Sequence, residues 1–144
     1  MNWKEEAKRE LRNYEPLKTS LPNIKLRIEA IQARKTSLKT MSDDTPVMGG
    51  GSTYEDRLLN CIVEEERLKA TYRADKIRVE LIERGLAMLN ETERAIVEEF
   101  ARNRPGRAVE ILADRIGYER AQIYRLYDQA LYRFTLAEYG IPEF

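Results

Sequence analysis

Apolar positions recur along this chain at alternating steps of three and four. The first series runs Tyr14, Leu17, Leu21, Ile24, Ile28, Ile31, Lys35 and Leu38. That spacing is the seam of a helix packed on a partner helix. Pro16 and Pro22 interrupt it, each placed to suit a helix's first turn after Asn13 or Ser20. The pattern therefore predicts a short helix over 2–12, a kink, and a longer helix over 20–39. A second series follows: Leu58, Cys61, Glu65, Leu68, Tyr72, Asp75, Val79, Ile82, Leu86 and Leu89. It predicts a second long helix, capped by Ser52 or Thr53, with Glu55 and Asp56 in its first turn. Lys35, Glu65 and Asp75 are polar intrusions in otherwise apolar seams.

The joint between these helices, 40–52, holds Pro46 and the run Gly49, Gly50, Gly51. A phosphate-cradling loop needs a preceding strand and a following Lys-Ser/Thr pair, and neither is present. A hairpin loop is the reading that remains. After Leu89 the pattern restarts. Asn90 or Thr92 can cap a third helix with Ala95, Ile96, Val97 and Phe100 inward. Arg104-Pro105-Gly106-Arg107 ends it. A fourth helix is expected over Ala108–Ile116, closed at Gly117 by the positive φ that glycine adopts freely. A fifth is expected from about Glu119 to Tyr139, with Ile123, Leu126, Ala130, Leu131 and Phe134 inward and Gly140 and Pro142 closing it. The expected fold is all-α: a long, coiled-coil-like N-terminal helical hairpin, 1–89, then a small three-helix helix-turn-helix domain, 90–144.

Composition narrows the chemistry. Of 144 residues, 42% are hydrophobic and 35% charged, which suits amphipathic helices. Histidine is absent and Cys61 is the single cysteine, so neither a zinc site nor an intramolecular disulfide is expected. Cys61 reads as a small core residue. No general base and nucleophile form a constellation, so no enzyme is expected and no cofactor. No apolar run approaches the ~18 residues of a membrane span. The charged start MNWKEEAKREL lacks the apolar core of a signal peptide, and a cytoplasmic protein is expected. Net charge is zero, but its distribution is uneven. Residues 1–41 carry ten Lys/Arg against five acids. Residues 101–127 carry six arginines, Arg102, Arg104, Arg107, Arg115, Arg120 and Arg125, against three acids.

Residues 107–134 hold a short helix, a tight glycine turn and a longer helix. This is the layout of a helix-turn-helix, whose second helix enters the major groove. It is equally the layout of two bundle helices. The inward stripe of the fifth helix leaves Arg120, Ala121, Gln122, Arg125, Asp128 and Gln129 outward. Arginine pairs bidentately with guanine and glutamine with adenine. Arg120, Gln122, Arg125 and Gln129 are therefore the candidate base readers. Arg102, Arg104, Arg107 and Arg115 are the candidate phosphate contacts. Tyr124, Tyr127 and Tyr132 read as packing at the edge of the core.

The stretch ILADRIGYERAQIYRLYDQALYRF resembles the promoter-reading helix-turn-helix of bacterial sigma factors, through Ile111, Leu112-Ala113, Gly117, Arg120, Ile123 and Ala130-Leu131. LNETERAIVEEF resembles the helix before it in that module, through Leu89, Glu93 and Arg94. Glu119 departs from the pattern, standing where serine usually caps the recognition helix. With LRNYEPLKTSLPNIKLRIE and the glycine loop included, nearly the whole chain resembles phage ArpU/RinA-type transcriptional regulators. The resemblance implies an activator of phage late genes in a bacterial host, with double-stranded DNA as partner. The N-terminal helices would then serve homo-oligomerisation or contact with RNA polymerase. Two other readings stand beside it: the DNA-recognition small subunit of a phage packaging terminase, and a helical interaction protein that binds no DNA.

Overall fold

A computed structural model of the chain describes residues 2–44 and 51–140. Most of the glycine joint and Pro142 lie outside these described residues. The described residues form five α-helices and no strand: α1 Trp3–Asp44, α2 Gly51–Ala87, α3 Glu91–Arg102, α4 Pro105–Ile116 and α5 Arg120–Tyr139. No helix among them is long and apolar enough to cross a membrane.

The predicted break in the first helix is not there. α1 runs unbroken through Pro16 and Pro22. Each internal proline removes a backbone donor and crowds the preceding turn, at a cost of about 3 kcal/mol. Both rings are exposed, while Tyr14 and Ile24 on either side are buried and Leu17 and Leu21 half-buried. The seam thus holds its spacing across both prolines. α2 begins at Gly51, so Ser52 and Thr53 lie within its first turn and are not its cap. α4 begins three residues earlier than expected, because Pro105 takes the first helical position, where its missing N–H costs nothing.

The chain divides into two compact units, 18–77 and 1–17 with 78–144. In the first, Ile24, Leu38, Cys61 and Leu68 are buried. The polar intrusions in this seam meet one another. The Lys35 ammonium donates to the Glu65 carboxylate at 2.6 Å, and Lys69 stands 3.5 Å from its other oxygen. Hydrogen bonds from Lys35 and Gln32 hold the Glu65 carboxyl down at about 2, well below the usual carboxylate range. A buried charge requires such partners.

In the second unit, α3, α4 and α5 pack pairwise on one another, and Ala7, Leu11, Tyr14, Val79, Ile82, Leu86 and Leu89 join their core. Asn90 caps α3 in a reciprocal capping box: its side chain accepts from the Glu93 N–H at 2.8 Å, and Glu93 accepts from the Asn90 N–H at 3.1 Å. α5 buries Ile123, Ala130, Leu131 and Phe134 completely. The ring of Phe134 lies against Gly85, where an added Cβ would meet it at 2.7 Å. Tyr127 is no edge residue. It is buried and stacks on Phe100, with ring centroids 4.0 Å apart and planes 7° from parallel.

Two measurements test this packing. In a helix interior, Gly→Ala ordinarily gains about 0.5–1 kcal/mol. At Gly85 a methyl would press on the fully buried Phe134 ring, so Gly85→Ala is expected to destabilise by roughly 1–3 kcal/mol in chemical denaturation. A stabilised variant would show that the ring does retreat. The second concerns Glu138, one of whose oxygens is buried without a partner. Burial and the neighbouring Glu10 push its carboxyl up to about 7, with Tyr139 and Arg78 acting weakly the other way. The folded value lies above the ordinary 4.5, so the fold favours the neutral acid and loses stability as pH rises from 4.5 through 7. Glu138→Gln should melt higher than wild type near pH 8 and alike near pH 4.5. Equal melting at both pH values would refute the assignment.

Candidate nucleic-acid interface

Three residues, 117–119, separate α4 from α5. Gly117 sits at φ 80° and ψ 15° and donates its N–H to the Ala113 carbonyl at 2.9 Å. A left-handed residue here closes α4 and turns the chain at once, which glycine does without steric cost. Glu119 occupies the N-cap of α5, and its side chain makes no capping hydrogen bond. The amide groups opening α5 are thus left uncapped by any side chain.

Two ion pairs tie the three helices together, one close to this turn and one toward the far end of α5. Glu99 of α3 accepts from Arg115 of α4 at 2.9 Å and from the Asn103 amide at 3.0 Å. Glu93 accepts from Arg133 of α5 at 2.6 Å, and the same guanidinium donates to the Met88 carbonyl at 3.0 Å. Both carboxylates are buried while their arginines stay partly exposed, so these are charge-assisted bonds at the edge of the core. Arg133 limits rotation of α5 about its axis, because its fork is held by the start of α3.

With the inner stripe of α5 buried, Arg120, Ala121, Arg125, Asp128 and Gln129 are exposed on its outer face. Gln122 is half-buried rather than outward, and Leu126 is half-buried rather than fully inward. Among the described residues Arg125 forms no ion pair. Arg120 lies over the Tyr124 ring at 5.6 Å. The four expected phosphate contacts divide. Arg102 and Arg104 are exposed where α3 passes into α4, with no carboxylate partner among the described residues. Arg107 pairs with Glu110 at 3.2 Å, both side chains well exposed, a contact that water and salt readily exchange. Arg115 is tied to Glu99, although its side chain remains 58% exposed.

A groove of about 550 Å³ opens on the flank of α5 that carries Tyr124, Tyr127 and Asp128. Its cations are Arg102 and Arg104 from the α3–α4 junction and Lys8 and Arg12 from α1. Lys8 and Arg12 are absent from the sequence-derived candidates. Only the uneven charge of residues 1–41 pointed toward them. Among the described residues no cluster of carboxylates and cysteine is placed to hold a metal ion.

Comparison of the chain with protein-family models, curated proteins and solved structures gave no match.

The turn geometry yields a direct test. No atom lies within 4 Å of a Cβ placed at Gly117, so the cost of a side chain there is conformational alone. Gly117→Ala is expected to lower stability by roughly 1–2 kcal/mol in urea denaturation. An unchanged midpoint would mean that the turn relaxes out of the left-handed region.

Proposed function

We propose that this protein is a sequence-specific DNA-binding transcriptional regulator that places α5 in the major groove of promoter DNA. The observation that carries the reading is the outer face of α5. Arg120, Arg125 and Gln129 are exposed on a helix whose opposite face is buried, directly after a three-residue glycine turn. Bundle helices share such a turn, but with the exposed arginines and glutamine that follow it, it supports assigning α3–α5 to a helix-turn-helix module. Arginine and glutamine are the side chains that read guanine and adenine edges bidentately. Gln122, half-buried at the foot of the face, would join them only at its edge.

Arg102, Arg104 and Arg107 cluster at the start of α4, the helix that crosses the backbone in this class of reader. They would position the module on phosphate without selecting sequence, and Arg115 would brace α4 from beneath. The resemblance to sigma-factor and phage ArpU/RinA-type sequences supports activation of phage late genes as the biological setting. In that setting α1 and α2 form a helical hairpin that meets a second copy or RNA polymerase.

The operator can be selected from fragments of the source genome at physiological salt, where specific complexes outlast the sequence-independent background. On the selected site, Arg125→Ala is expected to cost roughly 1–3 kcal/mol and to relax preference at one base pair. Unchanged affinity and unchanged preference would remove Arg125 as a base reader. Failure to retain any fragment would remove the regulator reading itself.

A further inference from the structure

We propose that the groove beside α5 is a backbone-phosphate site, in which Lys8 and Arg12 at the start of α1 grip the DNA strand flanking the recognition helix. The inference rests on the DNA-reading function above and extends it to a part of the chain that the helix-turn-helix layout does not include.

The groove gathers cations from separate elements along one path. Lys8 and Arg12 come from α1, and Arg102 and Arg104 from the α3–α4 junction. Arg12, Arg102 and Arg104 are exposed, with no carboxylate partner among the described residues. Two carboxylates also line the groove, Glu5 and Asp128. Each has a cation beside it: Lys8 stands 3.4 Å from Glu5, and Lys4 stands 3.4 Å from Asp128. Counting Lys4, five positive groups face two negative ones, an excess of three. Phe100, Tyr124 and Tyr127 supply an aromatic lining. Burial pushes the Tyr127 hydroxyl up to about 12, so it stays neutral and places no negative charge opposite a phosphate.

Position decides in favour of duplex DNA. Tyr124 and Asp128 are the α5 neighbours of Arg125 and Gln129, so the groove opens along one edge of the reading face. A major groove is about 12 Å wide, and an α-helix with its side chains about 10–12 Å across. A helix seated there has a phosphate strand along each flank. On the Tyr124 and Asp128 flank, that strand meets Arg104, Arg102, Arg12 and Lys8. The Trp3–Tyr132 edge contact and the burial of Ala7 and Leu11 seat the start of α1, so the backbone that carries its cations is in place before DNA arrives. A pre-positioned cation loses less freedom on binding than one on a loose terminus.

The test is a salt series on the full chain, read by fluorescence anisotropy with a labelled duplex of unrelated sequence. Phosphate contact is sequence-independent, so no operator is needed. Each phosphate neutralised adds about 0.9 to the steepness of log affinity against log salt. Lys8→Ala with Arg12→Ala should flatten that slope by about 1.8, and Arg102→Ala with Arg104→Ala by a similar amount. Arg12→Lys, which keeps the charge, should retain the wild-type slope. All of these side chains lie outside the core, and unchanged melting will show that the fold is intact. A wild-type slope in the Lys8/Arg12 variant overturns the proposal and leaves the recognition helix in place. No binding of the wild-type chain to any duplex at low salt overturns both.

Discussion

The burial of one face of α5 governs the rest of this protein's candidate chemistry. Ile123, Ala130, Leu131 and Phe134 are fully enclosed, and Tyr127 is stacked on Phe100. A helix has one degree of rotational freedom about its axis, and this burial removes it. Because successive residues step around the axis with a period of 3.6, enclosing those positions turns Arg125 and Gln129 to solvent. The close approach of Phe134 to Gly85 deepens the enclosure, since any side chain at 85 would hold the ring away. The Arg133–Glu93 pair adds a polar stop to the same rotation. A helix held so firmly presents its outer side chains from a fixed backbone, and whatever they bind then costs less ordering.

A formal charge of zero conceals a sorting of charges by partner. Glu93 and Glu99 are buried, and each is paired with an arginine from another helix. Those pairs belong to the scaffold. Breaking one would leave a buried carboxylate uncompensated, which costs far more than the loss of an exposed pair. Arg12, Arg102, Arg104 and Arg125 have no such obligation and remain at the surface. The division lets a neutral chain keep a locally positive flank.

Much of the fold was legible in residue spacing. The seam positions from Tyr14 to Leu38 and from Leu58 to Leu89 are all buried or half-buried, because a period near 3.5 leaves a helix only one apolar side to hide. The positive φ of Gly117 and the cap at Asn90 follow from local chemistry that no distant contact needs to enforce. The expected break at Pro16 and Pro22 does not occur, because the local cost of a proline does not by itself decide whether a long helix continues through it. Lys35 and Glu65 looked like flaws in two separate seams. Thirty residues apart in the chain, they resolve into one ion pair when the helices meet.

The candidate site was legible in kind rather than in membership. Residue types and helical period named Arg120, Arg125 and Gln129, because outward position on a helix follows from the inward stripe. The same arithmetic put Gln122 outside and Tyr127 at the edge, since period alone says nothing of how deeply neighbours cover a flank. The fate of Arg115 and the presence of Lys8 and Arg12 beside α5 depend on which residues distant in sequence arrive together. The sequence alone determined that the chain is helical, which side of each helix is apolar, the cap at Asn90 and the turn at Gly117, because those are set by steps of one to seven residues. Only the tertiary structure decided which charges are spent on one another and which stay available. Coulombic and hydrogen-bond partners act over a few ångströms of space, whatever their separation along the chain.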